Sequence, residues 1–475
     1  MSERSIALNR FGLGSRPTDE IAGSAKSWLE GQLTRFEVRP EPLRGVAGSA
    51  AILSDIAEYQ ASARAVKRNK PEPQPGKAAS SAAMLDKDDP AVVLRRDSRR
   101  TLRTHYLDAV DARIAAALVT PAPFVERLVH FWSNHFAVSA DKISVTPLAG
   151  SFEFEAIRPH VLGNFVHLLR AAERHPAMLL YLDQAESIGP NSRFGQRPRV
   201  AARKGGLNEN LAREILELHT LGVRTGYSQT DVTEFARALT GWTVPGIGRR
   251  TGAREVTGGF SFVEELHEPG TRTVLGKSYS QSGEGQAMAV LEDLARHPAT
   301  AKHIATKLSI HFAGDKPPPQ MAARLEKAFL DSNGDLPTIY RAIIASPEAW
   351  QDQALKFRSP WEWSLAALRA TGQTTPALNS GVGLQTQLGQ EVWKPGQPNG
   401  FDDTASTWAG PDGLMRRVEA AERLAQRSPE VDARALSTRL FPDALSPATS
   451  EALRRAESPG QALALLLVAP EMMRR

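Results

Sequence analysis

Residues 205–243 encode two amphipathic helices in succession, and this stretch constrains the fold of the chain more than any other. In the first helix, Leu211, Ile215 and Leu218 fall on one line of a helical wheel of about 100° per residue. Such a line of apolar side chains is typical of a helix face packed on a protein core. The sequence therefore predicts a buried helix here.

The opposite face of this first helix is charged. Glu209, Arg213 and Glu217 follow one another at steps of four residues, which brings each within reach of the next as a Glu–Arg–Glu ladder. Asn208 is a favoured N-cap residue, and Gly222 is a typical C-terminal stop. These residues predict one helix between Asn208 and Gly222.

The second helix carries its own start and stop signals. Ser228 and Asp231 have the spacing of a capping box, and Gly241 marks the end of the helix. Val232 and Phe235 begin its apolar face. Together the two segments predict an antiparallel helical hairpin.

The rest of the chain predicts a mainly α fold, an irregular multi-helix bundle. One short β-hairpin is expected within residues 255–280, where apolar alternation surrounds Pro269-Gly270. We expect residues 1–64 to form an N-terminal helical segment that packs on the main domain, and residues 91–475 to form that domain. The Pro-, Lys- and Ala-rich residues 65–90 between them predict a flexible linker or loop.

Composition excludes several functional classes. The 475 residues contain no cysteine, so disulfides, thiolate nucleophiles and thiolate metal ligands are all excluded. A net charge of +5 is small for this length and makes nucleic-acid binding unlikely on charge alone. The longest apolar run, residues 462–469, is far shorter than the ~18 to 20 residues of a membrane-spanning helix. With no apolar signal core at the N-terminus either, we expect a cytoplasmic location for the chain as written.

Several motifs resemble those of one bacterial family in the same order along nearly the whole chain. They are FWSNHF at 131–136, HPAMLLYLDQAES at 175–187, NENLAREILELHTLGV at 208–223, HPATAKHIATKLSIHF at 297–312 and the loop that begins LGQ at 388. This set is similar to the family named domain of unknown function 1800. The resemblance supplies no activity, because the family is named for the lack of one.

The resemblance does imply a setting for the protein. Members of this family are commonly encoded beside a second family that resembles sulfatases and alkaline phosphatases, which implies a protein partner of that kind. Members also often carry export signals, so export with a partner or after trimming is an alternative to the cytoplasmic location. His267-Glu268 is similar to a His-acid motif of the family in which Asp is more usual than Glu.

No established catalytic motif occurs in the chain, so an enzymatic function is argued from groups of residues. One hypothesis is a metal-dependent or acid/base enzyme, hydrolytic or oxidative, with its site on buried helices. A divalent metal such as Zn, Mn or Fe would use His135, His219, His267 and Glu268 as ligands. The catalytic residues of such an enzyme would be His135, Arg213, Glu214, His219 and Lys307.

The alternative is a non-catalytic helical scaffold or accessory protein. Polar side chains of the helical hairpin would then form a buried network that fixes the packing, comprising Asn208, Glu209, Asn210, Glu217, Asp231, Arg237, Thr240 and Trp242. A helix-turn-helix DNA reader is less favoured, because the turn at 222–228 is longer than that motif uses.

Three further expectations concern His135, Lys307 and the loop that begins at Leu388. A histidine on an apolar face, such as His135, is more often a hydrogen-bonded core group than a ligand. Lys307 is expected to form an ion pair, for example with a carboxylate of the first hairpin helix. The aromatic, Pro- and Gly-rich loop from Leu388 to Trp408 is expected to cover a pocket.

Overall fold

Helices dominate the structure, a computed structural model that describes residues 2–69, 87–198, 206–247 and 259–475. The predicted mainly α fold is confirmed: 62% of the described residues are helical, and those residues form only two small two-stranded sheets. The α-helices in chain order are α1 Glu3–Ile6, α2 Ala25–Arg35, α3 Glu41–Arg44, α4 Ser49–Asn69, α5 Pro90–Val119, α6 Pro123–His135, α7 Ala149–Phe152, α8 Phe165–Arg174, α9 Pro176–Tyr181, α10 Asn210–Glu214, α11 Gln229–Leu239, α12 Glu284–Arg296, α13 Pro298–Ala313, α14 Pro319–Asp331, α15 Leu336–Ala345, α16 Pro360–Ala370, α17 Ser380–Leu388, α18 Ala405–Trp408, α19 Pro411–Gln426, α20 Ala433–Leu440, α21 Pro447–Arg455, α22 Pro459–Leu467 and α23 Pro470–Met473.

Proline repeatedly marks the first helical position, where its missing N–H leaves no intrahelical hydrogen bond unmade. Pro123 begins α6, Pro298 begins α13 and Pro360 begins α16. Ser359, just before α16, caps it in a capping box with Glu362. These three helix starts matter because the same helices later form the walls of the main cavity.

The helical hairpin departs from its prediction in one respect. The regular α-helix α10 covers only five residues, and the chain continues as a wider π-type turn from Ile215 to His219. Thr220 supports this wide turn, because its hydroxyl donates a hydrogen bond of 2.6 Å to the carbonyl of Ile215. The wide turn leaves the carbonyls of Leu218 and His219 to accept hydrogen bonds from histidine side chains of other helices.

Other features of the hairpin are as predicted. The capping box of Ser228 and Asp231 is present at the start of α11. Arg213 lies 3.3 Å from the carboxylate of Glu209 and 3.5 Å from that of Glu217, which confirms the ladder. These contacts are local in sequence, so helical spacing alone identified them.

The β-structure consists of two short antiparallel pairs. β1 (Trp242–Thr243) pairs with β2 (Ser261–Phe262), and β3 (Arg272–Val274) pairs with β4 (Lys277–Tyr279). The second pair is a hairpin whose turn, Leu275-Gly276, has positive φ at both residues, as a type I′ turn requires. The predicted hairpin within 255–280 is thereby confirmed, with residues 255–258 outside the described residues.

One main hydrophobic core runs through the described parts of the chain, from Ile6 near the start to Met473 near the end. The N-terminal residues Phe11 and Leu29 belong to the same core as the central helices. α4 extends to Asn69, five residues into the predicted linker, and α5 begins at Pro90; residues 70–86 of that linker lie outside the described residues. The predicted domain boundaries stay predictions. Within the described residues, every helix is too short or too polar to span a bilayer.

Candidate functional site

A cavity of about 280 Å³ lies between α6, α13, the start of α16 and the loop of residues 390–404. The loop contributes Trp393, Phe401 and Asp403 to the lining, which confirms that this segment covers a pocket. The exposed side chains Asn399 and Asp402 border the cavity, so its loop side is the side that faces solvent.

The two helices present cavity residues at helical spacing. On α6, Arg127, Phe131 and Asn134 lie at steps of three and four residues and therefore share one face. On α13, Lys307 and His311 are one turn apart and also face the cavity. The walls therefore rest on rigid elements, which hold side chains in place better than loops do.

The covering loop is held by hydrogen bonds to the side chain of Asn134 on α6 and to the backbone of Ala140 beyond the end of α6. The amide of Asn134 donates to the carbonyl of Phe401 at 2.8 Å, and the N–H of Phe401 donates to the Asn134 side-chain oxygen at 2.8 Å. Further along, the N–H of Ala140 donates to the carbonyl of Trp393 at 2.8 Å. The loop is thus attached at two points, and its position relative to α6 is defined.

His311 and Asp403 form a close polar contact in the cavity wall. Nδ1 of His311 lies 2.7 Å from Oδ2 of Asp403. Lys356, which is almost fully buried, lies 3.2 Å from the other carboxylate oxygen. Burial raises the pKa of Asp403, but His311 and Lys356 outweigh it and hold that pKa at about 2. The carboxylate therefore stays ionised and fixes the proton of His311 on Nδ1.

The imidazole of His311 is neutral at pH 7. Burial lowers its pKa, Asp403 raises it, and the cations Arg475 and Arg127 lower it further, so the pKa is below the ordinary value. Because Nδ1 carries the proton, Nε2 keeps its lone pair. Nη1 of Arg127 lies 3.5 Å from Nε2, at the outer limit of a hydrogen bond. A bound molecule can compete for a contact of that length.

The largely buried carboxylate of Glu362 also lines the cavity and lies between two arginines. Glu362 is in close ion-pair contact with Arg127, and Nη2 of Arg475 lies 2.8 Å from it. Arg127 also donates twice to the carbonyl of Gly12, at 2.8 and 2.6 Å. Burial raises the pKa of Glu362, but the two arginines dominate and hold it well below its usual range. This cluster anchors the first turn of α16 to α6.

Lys307 has a different partner from the one predicted. Its Nζ lies 3.1 Å from Nδ1 of His135, and the described residues place no carboxylate within ion-pair distance of it, so the predicted ion pair is wrong. His135 is 1% exposed, and its Nε2 donates to the carbonyl of His219 at 3.1 Å. Nδ1 of His135 is then an acceptor, and the lysine donates to it. Burial lowers the pKa of Lys307 to about 8, partly opposed by Asp403.

Two neighbouring histidines extend this cluster away from the cavity. His219 is fully buried, with Nδ1 2.7 Å from the carboxylate of Glu173, which is also fully buried. His303 donates from Nε2 to the carbonyl of Leu218 at 3.1 Å, and burial lowers its pKa to about 4. These two imidazoles bind protein groups and do not line the cavity.

The predicted site residues do not converge on one place. Of the predicted catalytic set, His135 and Lys307 line the cavity, whereas Arg213, Glu214 and His219 do not. Arg213 belongs to the surface ladder, and Glu214 is half-buried, with its pKa raised by burial.

The predicted metal ligands also have separate partners. His267 has Nδ1 2.8 Å from the carbonyl of Thr240, and Glu268 accepts from the backbone and side chain of Asn191 at 2.8 and 2.6 Å. Both ring nitrogens of His135 are engaged in the contacts above. In the described ranges, no three His, Asp or Glu side chains are grouped as a metal would require.

The predicted structural network is divided between the surface and local contacts. Asp231 caps α11 and accepts from the N–H of Leu275 at 2.7 Å, and Thr240 accepts from the N–H of Glu268 at 2.8 Å. Glu209 binds Gln229 and Thr233 on a partly exposed surface. The remaining members have contacts of their own or are buried: the Asn208 amide donates to two backbone carbonyls, the Asn210 N–H donates to Asn208, Glu217 ends the ladder, Arg237 pairs with Glu234, and Trp242 is in β1.

The residues that sequence reasoning missed are His311, Asp403, Arg127 and Glu362. The sequence did contain a signal for His311. It follows Lys307, a predicted site residue, by four residues and therefore lies on the same face of the helix. Asp403 lies 92 positions from His311, and Glu362 lies 235 positions from Arg127, so spacing could not connect them.

The comparisons with known proteins give one positive finding. A family model described as "Protein of unknown function (DUF1800)" matches residues 6–474, nearly the whole chain. No curated protein and no solved structure matches the chain.

Proposed function

Because the chain belongs to the DUF1800 family, whose description assigns no activity, we propose a function from the cavity itself: the protein is an enzyme that transfers a proton on a small organic molecule bound there. The observation that carries this proposal is the position of His311 between Asp403 and Arg127. A half-buried carboxylate orients the imidazole, and a cation lies beside the nitrogen whose lone pair would accept a proton.

Each part of this arrangement has a defined task. Asp403 keeps the His311 proton on Nδ1 and stabilises the imidazolium that forms when Nε2 takes a proton. Arg127 lies beside that nitrogen and stabilises negative charge that develops on the substrate. Glu362 and the Gly12 carbonyl hold the guanidinium, so it need not reorganise during the reaction.

The walls of the cavity favour a substrate with a flat apolar body. Phe131, Trp361, Trp393 and Phe401 line it, together with polar groups that include Arg127, His311 and Asp403. This combination is typical of small-molecule sites, where apolar walls bind and a few polar groups orient.

The geometry of the site does not support the other functional predictions. A metal role for His135, His219, His267 and Glu268 and the choice between hydrolytic and oxidative chemistry stay predictions. The sulfatase- or phosphatase-like partner rests on the family resemblance alone and also stays a prediction, as does the cytoplasmic location.

The base is tested with 5-nitrobenzisoxazole, a flat aromatic probe from which a base removes one C–H proton. The N–O bond then breaks, and the coloured 2-cyano-4-nitrophenolate forms. We expect the wild-type protein to accelerate this reaction, and His311→Asn to lower kcat/KM by about 100-fold. Asp403→Asn should lower it as well, because the imidazole then loses its fixed tautomer.

His105 supplies a matched control, because its Nε2 lies 2.6 Å from Asp55 in a second His–Asp pair that does not line the cavity. His105→Asn should leave the rate unchanged. Equal rates for wild type and His311→Asn, with both variants folded by circular dichroism, would rule out His311 as the base.

A further inference from the structure

Lys307 also lines the cavity, and the proposed base mechanism gives its amine no role. α13 places its Nζ at the wall, one helical turn before His311. Its contact at 3.1 Å is to an imidazole nitrogen of His135, not to a carboxylate. A partly buried ammonium with no carboxylate at ion-pair distance among the described residues is poorly stabilised, so the neutral amine is more accessible than that of an exposed lysine.

A second buried lysine nearby shows the contrast. Lys356 lies 3.0 Å from a carboxylate oxygen of Asp315 and 3.2 Å from one of Asp403. Lys356 therefore has two carboxylate partners and a structural role. In the part of the chain that the structure describes, Lys307 has no carboxylate at such a distance, and burial lowers its pKa to about 8, within reach of neutral pH.

His135 fixes the position of the Lys307 amine through a hydrogen bond. Because its Nε2–H donates to the carbonyl of His219, its Nδ1 can only accept, and it accepts one N–H of Lys307. Both helices that carry these residues are rigid and packed in the core. Nζ of Lys307 is therefore held at the cavity wall by its contact with His135.

We propose that Lys307 forms an imine with a small aldehyde or ketone bound in this cavity, which assigns the substrate to the carbonyl class. The proposal deepens the proposed function, since His311 would then remove a proton from the carbon next to the C=N group. Formation of the imine itself does not require His311.

The bond changes balance without any further reactant. The amine nitrogen of Lys307 attacks the carbonyl carbon, the C–N bond forms, and the C=O π bond opens to a carbinolamine. The carbonyl oxygen then leaves as water with the two amine hydrogens, and the C=N bond remains. The aromatic walls hold the apolar body of the carbonyl compound.

The experiment uses 2-hydroxybenzaldehyde as the probe with the full chain, and cyanoborohydride to reduce any imine to a stable secondary amine. Mass spectrometry of the peptides then locates the adduct. At limiting aldehyde we expect one adduct per chain, on Lys307. Lys307→Arg and Lys307→Met should both lose it, and two variants guard against a folding defect in one.

Lys302 gives the matched control, because it lies on the same helix but is exposed. Lys302→Arg should keep the adduct on Lys307. A wild-type protein whose adducts are spread over exposed lysines, with Lys307 unmodified, would overturn the proposal.

His311→Asn separates this proposal from the proposed function. If the variant keeps the Lys307 adduct but loses the benzisoxazole reaction, both proposals hold. If wild type forms no adduct yet eliminates benzisoxazole through His311, the imine is refuted and the base remains. An adduct with no elimination in wild type refutes the base alone.

Discussion

At the scale of single residues, the charges around Glu362 form a closely packed and largely buried cluster. Its carboxylate faces both Arg127 and Arg475, and all three side chains are at most 10% exposed. A buried ion pair contributes little net stability over apolar packing, but the loss of one member leaves the others charged and unpaired in a medium of low polarity. Substitution of Glu362 alone should therefore destabilise the protein strongly.

We predict that Glu362→Gln lowers the free energy of unfolding by about 3 to 5 kcal/mol, because two guanidinium groups lose their shared anion. Urea unfolding followed by circular dichroism measures it. Asp412→Asn is the control, since Asp412 pairs with Arg416 on the surface and the expected loss is below about 1 kcal/mol. Similar losses in the two variants would contradict this view of the cluster.

At the scale of elements, the loop that covers the cavity depends on one glycine. Gly400 has φ +78°, and a Cβ there would lie 2.3 Å from the carbonyl oxygen of Asn134. The same close approach permits the reciprocal hydrogen bonds between Asn134 and Phe401. A side chain at 400 would therefore separate the loop from α6.

We predict that Gly400→Ala destabilises the protein and abolishes the benzisoxazole reaction, because Asp403 moves with the loop. Gly396→Ala is a matched control in the same loop: it also has positive φ, at +79°, but its Cβ would meet nothing within 4 Å. It should cost only about 1 to 2 kcal/mol for the left-handed backbone and keep the activity. Thermal unfolding and the probe reaction measure both, and equal effects would show that the clash with Asn134 is unimportant.

Local features of the elements could be predicted from the sequence, whereas features that depend on tertiary contacts could not. The capping box at Ser228 and the Glu209–Arg213–Glu217 ladder were found because their partners lie within four residues. The π-type turn after Glu214 was missed, since it depends on contacts made by Thr220 and on distant histidines. The candidate site was found only in part, at His135 and Lys307, because its other members meet through tertiary packing that one sequence does not reveal.

At the scale of the whole molecule, buried histidines connect stability to pH. Burial lowers the pKa of His130, His135, His303 and His311 below the ordinary value. The unfolded chain therefore binds protons at these sites before the folded protein does. Their contribution to stability is fully present above the unfolded pKa of about 6.5 and is lost as pH falls toward the folded values.

We predict that the urea midpoint falls as pH is lowered from about 6.5 to 4, the interval between the unfolded value and the pKa of about 4 for His303. Each such imidazole contributes a slope of at most about 1.4 kcal/mol per pH unit. His303→Gln should flatten the profile in this window. A variant with an unchanged slope would show that His303 does not titrate differently on unfolding.

The position of Glu362 between residues 127 and 475 has a consequence for how the protein is made. A ribosome releases the α6 arginine and the α16 carboxylate long before Arg475, and until then the carboxylate lacks its second cation. Arg475 also donates to the His311 carbonyl at 2.8 Å, and its backbone pairs with that of Lys356. The site is therefore completed only after residue 475 has been made, and chains truncated before Arg475 should be inactive and prone to capture by chaperones.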